Sequence, residues 1–224
     1  MLNVPNETII RIKEDGSVSV EEYRGGVKSF KAISPNSLTE CINKSIMRGK
    51  VASGVLPQGC ISFVAHDNGN RDVVMLHPEE RADISYVGTE YKNFPLPQLI
   101  FGFRVSSEGR VNNCRLGVVG NERNLKPTTP MFLYPFSNVS GNSGTELCIG
   151  NNVLPKILNL YTLGSLPYHI LGMDNNNDYF KSSNNKPGLE MRDLLELLKD
   201  KESGYYYEHL LVPSGMTLGD FVAA

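Results

Sequence analysis

The sequence has no tryptophan and no long uninterrupted run of apolar residues. Hydrophobic residues occupy 40% of the 224 positions. They fall in short runs, well below the roughly 20 consecutive apolar residues that a membrane helix needs, so we expect no membrane span. Residues 1–7 also lack the basic stretch followed by an apolar stretch that is typical of a secretion signal, which favours a cytoplasmic protein.

An excess of basic residues is missing as well. The chain has 22 Lys and Arg against 24 Asp and Glu, a formal net charge of -2. Nucleic-acid-binding domains usually carry a basic face, so we expect no nucleic-acid partner. No glycine-rich phosphate-binding motif occurs either, and the sequence predicts no cofactor.

Closely spaced cysteine pairs are absent too. The four cysteines, Cys41, Cys60, Cys114 and Cys148, form no CxxC pair, so we expect neither a metal site nor a disulfide framework. Cys41 falls on the apolar stripe of a helix that a capping box over residues 37–40 is expected to start, which favours a core position. Cys60 and Cys114 fall on predicted strands, where a structural role is favoured.

Alternation of β-forming and polar residues predicts a hairpin or three-stranded meander over residues 7–33. Two further hairpins are predicted downstream, residues 59–65 with 72–77 and residues 99–105 with 111–119. A strongly amphipathic helix is expected near residues 189–198. The sequence therefore predicts an α+β fold, in which an antiparallel meander of about four strands is backed by helices.

The domain organisation follows from the same pattern. Residues 1–35 are interpreted as an N-terminal β-hairpin extension, and residues 36–224 as the main domain with a C-terminal helix. Residues 94–98 predict a stiff extended connector. Residues 174–178 are all Asn or Asp, which predicts turns or local disorder. His77 is expected at the surface or in a turn.

Cys148 has the setting that a reactive thiol needs. Residues 137–144 are small and polar, and predict an exposed loop directly before it. Backbone N–H groups of such a loop stabilise a thiolate or an oxyanion, whereas a nearby Glu146 disfavours the thiolate. The residues alone leave a second reading open, in which Cys148 is a small buried core residue. His169 is the nearest histidine in the sequence. It is interpreted as a base, as a hydrogen-bond donor or as a satisfied polar residue.

The segment around the fourth cysteine resembles the active-site segment of ubiquitin-conjugating enzymes. The resemblance rests on residues 131–139, a glycine-containing loop, residues 146–150 and the Leu-Pro pair at 154–155. Residues 94–98 and 165–169 fit the same pattern. More closely, the segment resembles the bacterial branch that includes PRTRC system protein B, the prokaryotic family D of these enzymes.

The resemblance implies a ubiquitin-conjugating-enzyme-like fold and a catalytic role for Cys148. That cysteine would take a ubiquitin-like modifier from an activating enzyme as a thioester and pass it to an amine. Pro135 and Asn138 match the proline and asparagine of the family's His-Pro-Asn motif, while Tyr134 occupies the position of the motif's histidine. Asn138 is therefore implied as an assistant, and so is His169, because a histidine after the cysteine serves in bacterial members. A deconjugating metalloprotease encoded nearby is implied as a further partner.

Two other functions compete with conjugation. One is a non-catalytic scaffold of the same fold that binds a ubiquitin-like protein in a complex encoded by a mobile element. The other is a thiol hydrolase in which Cys148 is the nucleophile and His169 the base. The hydrolase requires the two side chains to approach within about 3 to 4 Å.

Overall fold

The computed structural model describes residues 7–46, 52–140 and 144–224, and the side chains of residues 43–46 are not described. The chain divides into two compact units, residues 1–52 and residues 53–224. No helix among the described residues is both long and apolar enough to cross a membrane.

The described part of the first unit contains a three-stranded antiparallel sheet and one helix. The strands are β1 (Glu7–Ile12), β2 (Val18–Arg24) and β3 (Val27–Ile33), with β2 in the middle. The predicted meander is confirmed. Helix α1 (Pro35–Ile46) follows.

The start of α1 corrects the predicted capping box. The Ser34 side chain accepts a hydrogen bond from the Ser37 N–H at 3.1 Å, and the Ser34 carbonyl accepts the Leu38 N–H. Ser34 is therefore the N-cap and Pro35 takes the first helical position, where its missing N–H costs nothing. Cys41 is exposed, so the core position expected for it is wrong.

Among its described residues, the second unit has an eight-stranded sheet and a separate three-stranded sheet. Its strands are β4 (Cys60–Ala65), β5 (Arg71–His77), β6 (Glu80–Tyr86), β7 (Thr89–Leu96), β8 (Leu99–Val105), β9 (Val111–Val119), β10 (Pro130–Phe132), β11 (Val139–Ser140), β12 (Glu146–Leu147), β13 (Asp174–Asn175) and β14 (Pro213–Thr217). Its α-helices are α2 (Leu166–Leu171), α3 (Met191–Leu198) and α4 (Leu218–Ala223).

The two predicted hairpins form the centre of the large sheet. The strand order is β11-β12-β9-β8-β5-β4, with β10 between β9 and β14. Strands β6 and β7 form a hairpin between β5 and β8 in the sequence, and β13 pairs with β6 in parallel. The α+β class and the two hairpins are confirmed.

Strand β8 is buried on both faces of the sheet. On one face its residues Leu99, Phe101 and Phe103 join a large apolar core with residues of α2, α3 and the β6–β7 hairpin. On the other face Ile100 packs in a smaller core with Leu218 and Phe221 of α4. Near-continuous hydrophobicity along β8 is therefore explained by helices on both sides.

Three interpretations of the middle of the chain are wrong. His77 is 3% exposed at the end of β5 rather than at the surface. Residues 94–96 belong to β7 rather than to a free connector. Ser137 and Val139 are buried, so the loop expected at residues 137–144 is not exposed over its whole length.

The segment 174–178 is also more regular than expected. Asp174 and Asn175 form β13 and pair in register with Ser85 and Tyr86 of β6. The pairing places this polar segment against the β6–β7 hairpin. It forms one wall of the candidate site.

Candidate functional site

Cys148 lies directly after β12 and before a tight turn. Within that turn the Asn152 N–H and the Asn152 side-chain amide both donate to the Ile149 carbonyl, at 3.1 and 2.8 Å. Gly150 provides the positive φ of 56° that the turn requires. The cysteine side chain is exposed. The buried interpretation of Cys148 is therefore excluded.

The cysteine borders a cavity of about 110 Å³. The interior wall is apolar and comes from β6, β7, β9, α2 and α3 as well as from the segment before β11; its residues are Ile84, Leu96, Leu116, Tyr134, Phe136, Ile170, Leu171 and Met191. Polar residues surround the same space, namely Asn138, Asn152, Asp174, Asn175, Asn176 and Asp178. The site thus combines an apolar interior with a rim rich in side-chain amides beside an accessible thiol.

Asn138 is brought next to Cys148 by a backbone hydrogen bond. Its carbonyl accepts the Cys148 N–H at 2.7 Å, and its own N–H donates to the Asp178 carbonyl at 2.8 Å. Asn138 has a φ of 67°, in the left-handed region that asparagine tolerates better than most residues. Both residues line the cavity.

The Asn175 side chain holds the Asn138 side chain. Asn175 Nδ2 donates to the carbonyls of Ser85 and Met173 at 3.0 and 3.4 Å. Asn175 Oδ1 accepts from Asn138 Nδ2 at 3.2 Å and from the Ser137 hydroxyl at 3.3 Å. Since a carbonyl only accepts, the two carbonyls fix the orientation of the Asn175 amide.

The segment that carries Asn175 is anchored to the β6–β7 turn. The Val87 N–H donates to the Asn175 carbonyl at 2.9 Å. The Ser85 hydroxyl donates to Asp174 Oδ1 at 2.6 Å, and the Tyr86 hydroxyl donates to Asn177 Oδ1 at 2.7 Å. These contacts give a run of polar residues a defined position without an apolar core of its own.

His169 is not among the residues that line the cavity beside Cys148. It is exposed on α2, whereas the next two residues, Ile170 and Leu171, point into the cavity wall. The described residues contain no hydrogen bond between His169 and Cys148. The pairing that a thiol hydrolase requires is therefore not present in this structure.

Tyr134, at the histidine position of the resemblance, is a wall residue. It is 7% exposed, and its ring packs edge-on against Phe136 with the ring centroids 5.4 Å apart. Burial raises the pKa of Tyr134 far above its ordinary range. Its phenol stays neutral at physiological pH and does not act as a base.

A buried histidine and a partly buried carboxylate contact Tyr168 of α2. His77 Nε2 is 2.8 Å from Glu80 Oε1, but neither atom has hydrogen-bond geometry with any partner in the described structure. The Tyr168 hydroxyl donates to Glu80 Oε2 at 3.4 Å, and the Tyr168 ring meets the His77 ring edge-on. Burial lowers the pKa of His77, although the Glu80 carboxylate opposes this shift. These residues do not line the cavity.

The described residues contain no group of three or more His, Cys, Asp or Glu side chains placed to hold a metal ion. Comparisons of the chain with protein-family models, with curated proteins and with solved structures find no match. The function is therefore argued from the residues of the site.

Sequence reasoning singled out Cys148 and Asn138, which both line the cavity, but it did not single out Asn175, which lines it as well. The run of Asn and Asp at 174–178 is as typical of a disordered polar tract as of a segment tied down by side-chain hydrogen bonds. Which of the two applies depends on Ser85 and Val87, about 90 residues away in sequence, whose backbone groups meet the segment only in the folded chain.

Proposed function

We propose that this chain is a cytoplasmic carrier of a ubiquitin-like modifier, with the fold and chemistry of a bacterial ubiquitin-conjugating enzyme. Its proposed partners are the modifier, an activating enzyme and a deconjugating metalloprotease. The proposal rests chiefly on one observation: Cys148 is exposed at the mouth of a cavity and is joined by a backbone hydrogen bond to Asn138. The antiparallel strands β4, β5, β8 and β9 with helices on their faces also support it.

Two acyl transfers make up the proposed reaction. In the first, the Cys148 thiolate attacks the thioester carbonyl on the activating enzyme; a new C–S bond forms and the enzyme's own thiolate leaves. In the second, a target amine attacks the Cys148 thioester, the Cys148 thiolate leaves, and the amine proton passes to solvent. Each attack places negative charge on the carbonyl oxygen. The Asn138 side-chain amide is the proposed donor to that oxygen.

A direct test is the formation of an adduct on Cys148. The chain is incubated with candidate ubiquitin-like proteins and activating enzymes of the same organism and ATP, and the products are separated with and without a thiol reductant. We expect an adduct that the reductant removes. Cys148→Ala should abolish it, whereas Cys41→Ala, which removes the other exposed cysteine, should leave it intact.

A non-catalytic scaffold of the same fold is the second candidate. It is favoured by the surroundings of the thiol, because no ionisable side chain in the described part of the chain makes a hydrogen bond to Cys148. Binding of the ubiquitin-like protein without an adduct, and unchanged binding by Cys148→Ala, would favour the scaffold over the carrier.

A further inference from the structure

We infer that Asn175 is a positioning residue, which holds the Asn138 amide in the orientation needed to stabilise an oxyanion at Cys148. The inference rests on the proposed function, because it concerns an acyl group carried by that cysteine. It begins with the Asn175 amide, whose two ends face different kinds of partner. Its Nδ2 faces two backbone carbonyls, and its Oδ1 faces two donors.

The consequence for Asn138 is a fixed amide orientation. Asn138 Nδ2 donates one of its two hydrogens to Asn175 Oδ1 at 3.2 Å. This is the only hydrogen bond of the Asn138 side chain among the described residues. One amide hydrogen of Asn138 therefore stays available for a further acceptor. Without Asn175, rotation of the Asn138 amide would exchange its donor and acceptor ends.

The backbone does not replace this contact. The main-chain bonds of Asn138 to Cys148 and Asp178 fix where the residue lies, but they leave its side-chain torsions free. Asn175 is itself fixed by Ser85, Met173 and the Val87 N–H. The order of support is thus the β6–β7 hairpin, then Asn175, then Asn138, and finally the carbonyl oxygen on Cys148.

The inference predicts that Asn175 acts only through Asn138. Cys148 is loaded chemically by exchange with an excess of an N-acetylglycine thioester of a small thiol, which forms the Cys148 thioester and releases that thiol. Transfer of the acetylglycyl group to free lysine is then followed on the Cys148 peptide by mass spectrometry. The full chain is compared with Asn138→Ala, Asn175→Ala and the double variant.

We expect Asn138→Ala to slow aminolysis about 100-fold, the loss typical of one oxyanion donor. Asn175→Ala should slow it about 10-fold, because the donor remains but is less well oriented. The double variant should be no slower than Asn138→Ala. If the role of Asn175 were purely structural, Asn175→Ala would instead slow aminolysis by the same factor in the unchanged chain and in Asn138→Ala.

Ser137→Ala is the matched control, since it removes the other hydrogen bond to Asn175 Oδ1 and leaves Asn138 in place; its rate should stay close to that of the unchanged chain. Each variant's fold is checked by the protection of buried Cys114 from alkylation. If Asn175→Ala does not fold, Asn175→Gln takes its place, because it keeps the amide but shifts Oδ1 by one methylene group.

The inference is overturned if Asn175→Ala leaves aminolysis unchanged, if its effect multiplies with that of Asn138→Ala, or if Asn138→Ala itself has no effect. None of these outcomes depends on the natural modifier. Failure of the proposed function would appear separately, as the lack of a modifier adduct in a chain whose chemically loaded thioester still depends on both asparagines.

Discussion

At the scale of single residues, Cys114 and Cys148 differ strongly in their exposure to solvent. Cys114 is 8% exposed on β9, and burial raises its pKa to about 12, so almost none of it is thiolate at neutral pH. Cys148 is exposed after β12, a strand that pairs with β9. The thiol on β9 and the thiol just after the neighbouring strand β12 are thus expected to react at very different rates.

We therefore predict that iodoacetamide at pH 8 modifies Cys148 at least about 100-fold faster than Cys114 in the folded chain, since the thiolate is the reacting form. The rates are measured by timed quenching and peptide mass spectrometry. In urea the two rates should converge, which serves as the control. Equal rates without denaturant would contradict the described burial of Cys114.

His77 leads to a prediction about pH. Its pKa is lowered in the folded chain, chiefly by burial, from an ordinary value of 6.5. Below about pH 6.5 His77 binds a proton more readily in the unfolded chain than in the folded chain. The stability that neutral His77 contributes is therefore complete above that pH and is lost as the pH falls toward the lowered pKa.

The stability difference between the unchanged chain and His77→Gln should therefore be larger at pH 8 than at pH 5.5. Urea unfolding at both pH values measures it. In a Glu80→Gln background, which lacks the carboxylate that opposes the shift, the decrease on acidification should be steeper. A difference that grows on acidification would mean that the ion pair of His77 with Glu80 outweighs burial.

At the scale of structural elements, glycines at two turns are subject to different constraints. Gly59, just before β4, has a φ of 79°, and a Cβ there would collide with the Leu76 carbonyl oxygen. Gly88, between β6 and β7, has a φ of 71° and no atom within 4 Å of such a Cβ. The two glycines thus have nearly the same backbone conformation, but only Gly88 has room for a side chain.

Gly88→Ala should accordingly lower the free energy of unfolding by about 1 kcal/mol, from the left-handed conformation alone. Gly59→Ala should lower it by about 3 kcal/mol, because the collision adds to that strain. Both values come from urea unfolding. Equal losses would show that the Leu76 carbonyl moves away at little cost.

The β6–β7 turn also shows where sequence reasoning fails. The hairpins around Gly69 and Gly109 were predictable, since polar turn residues and glycine separate alternating strands. The turn at Val87 and Gly88 carries no such signal in the sequence. Val87 has a φ of 48°, and a β-branched residue rarely adopts a positive φ, so valine does not predict a turn here. Strand β6, and with it the wall that anchors Asn175, was therefore missed.

The candidate site was predictable in part for a related reason. Cys148 and Asn138 lie in one local segment, and β11 pairs with β12 between them. Asn175 reaches the site only through the long-range pairing of β13 with β6. Local pattern does not determine such pairing, nor does it show that His169 lies outside a cavity lined by Ile170 and Leu171.

At the scale of the whole molecule, apolar burial is unequal between the two units. Val18 is the only residue of the first unit among the described buried apolar residues, and both apolar cores consist of residues from the second unit. The second unit therefore contains the packing that determines cooperative folding.

We predict that a chain of residues 53–224 folds without the first unit. Its urea midpoint should lie close to that of the main transition of the full chain, and Cys114 should remain protected from alkylation. Phe221→Ala in the same fragment is a control that should lower the midpoint clearly, because Phe221 is fully buried beneath Arg115. A fragment without a cooperative transition would contradict the prediction.

Position 138 has to satisfy two requirements at once. Its left-handed backbone is easily adopted by glycine, asparagine or aspartate, but of these three only asparagine also offers an amide hydrogen. On the proposed function, replacement by glycine or aspartate should leave Cys148 in place and remove the amide donor beside it. If the proposed transfer chemistry depends on this amide, homologous chains with glycine or aspartate here would keep the fold of the segment without the transfer.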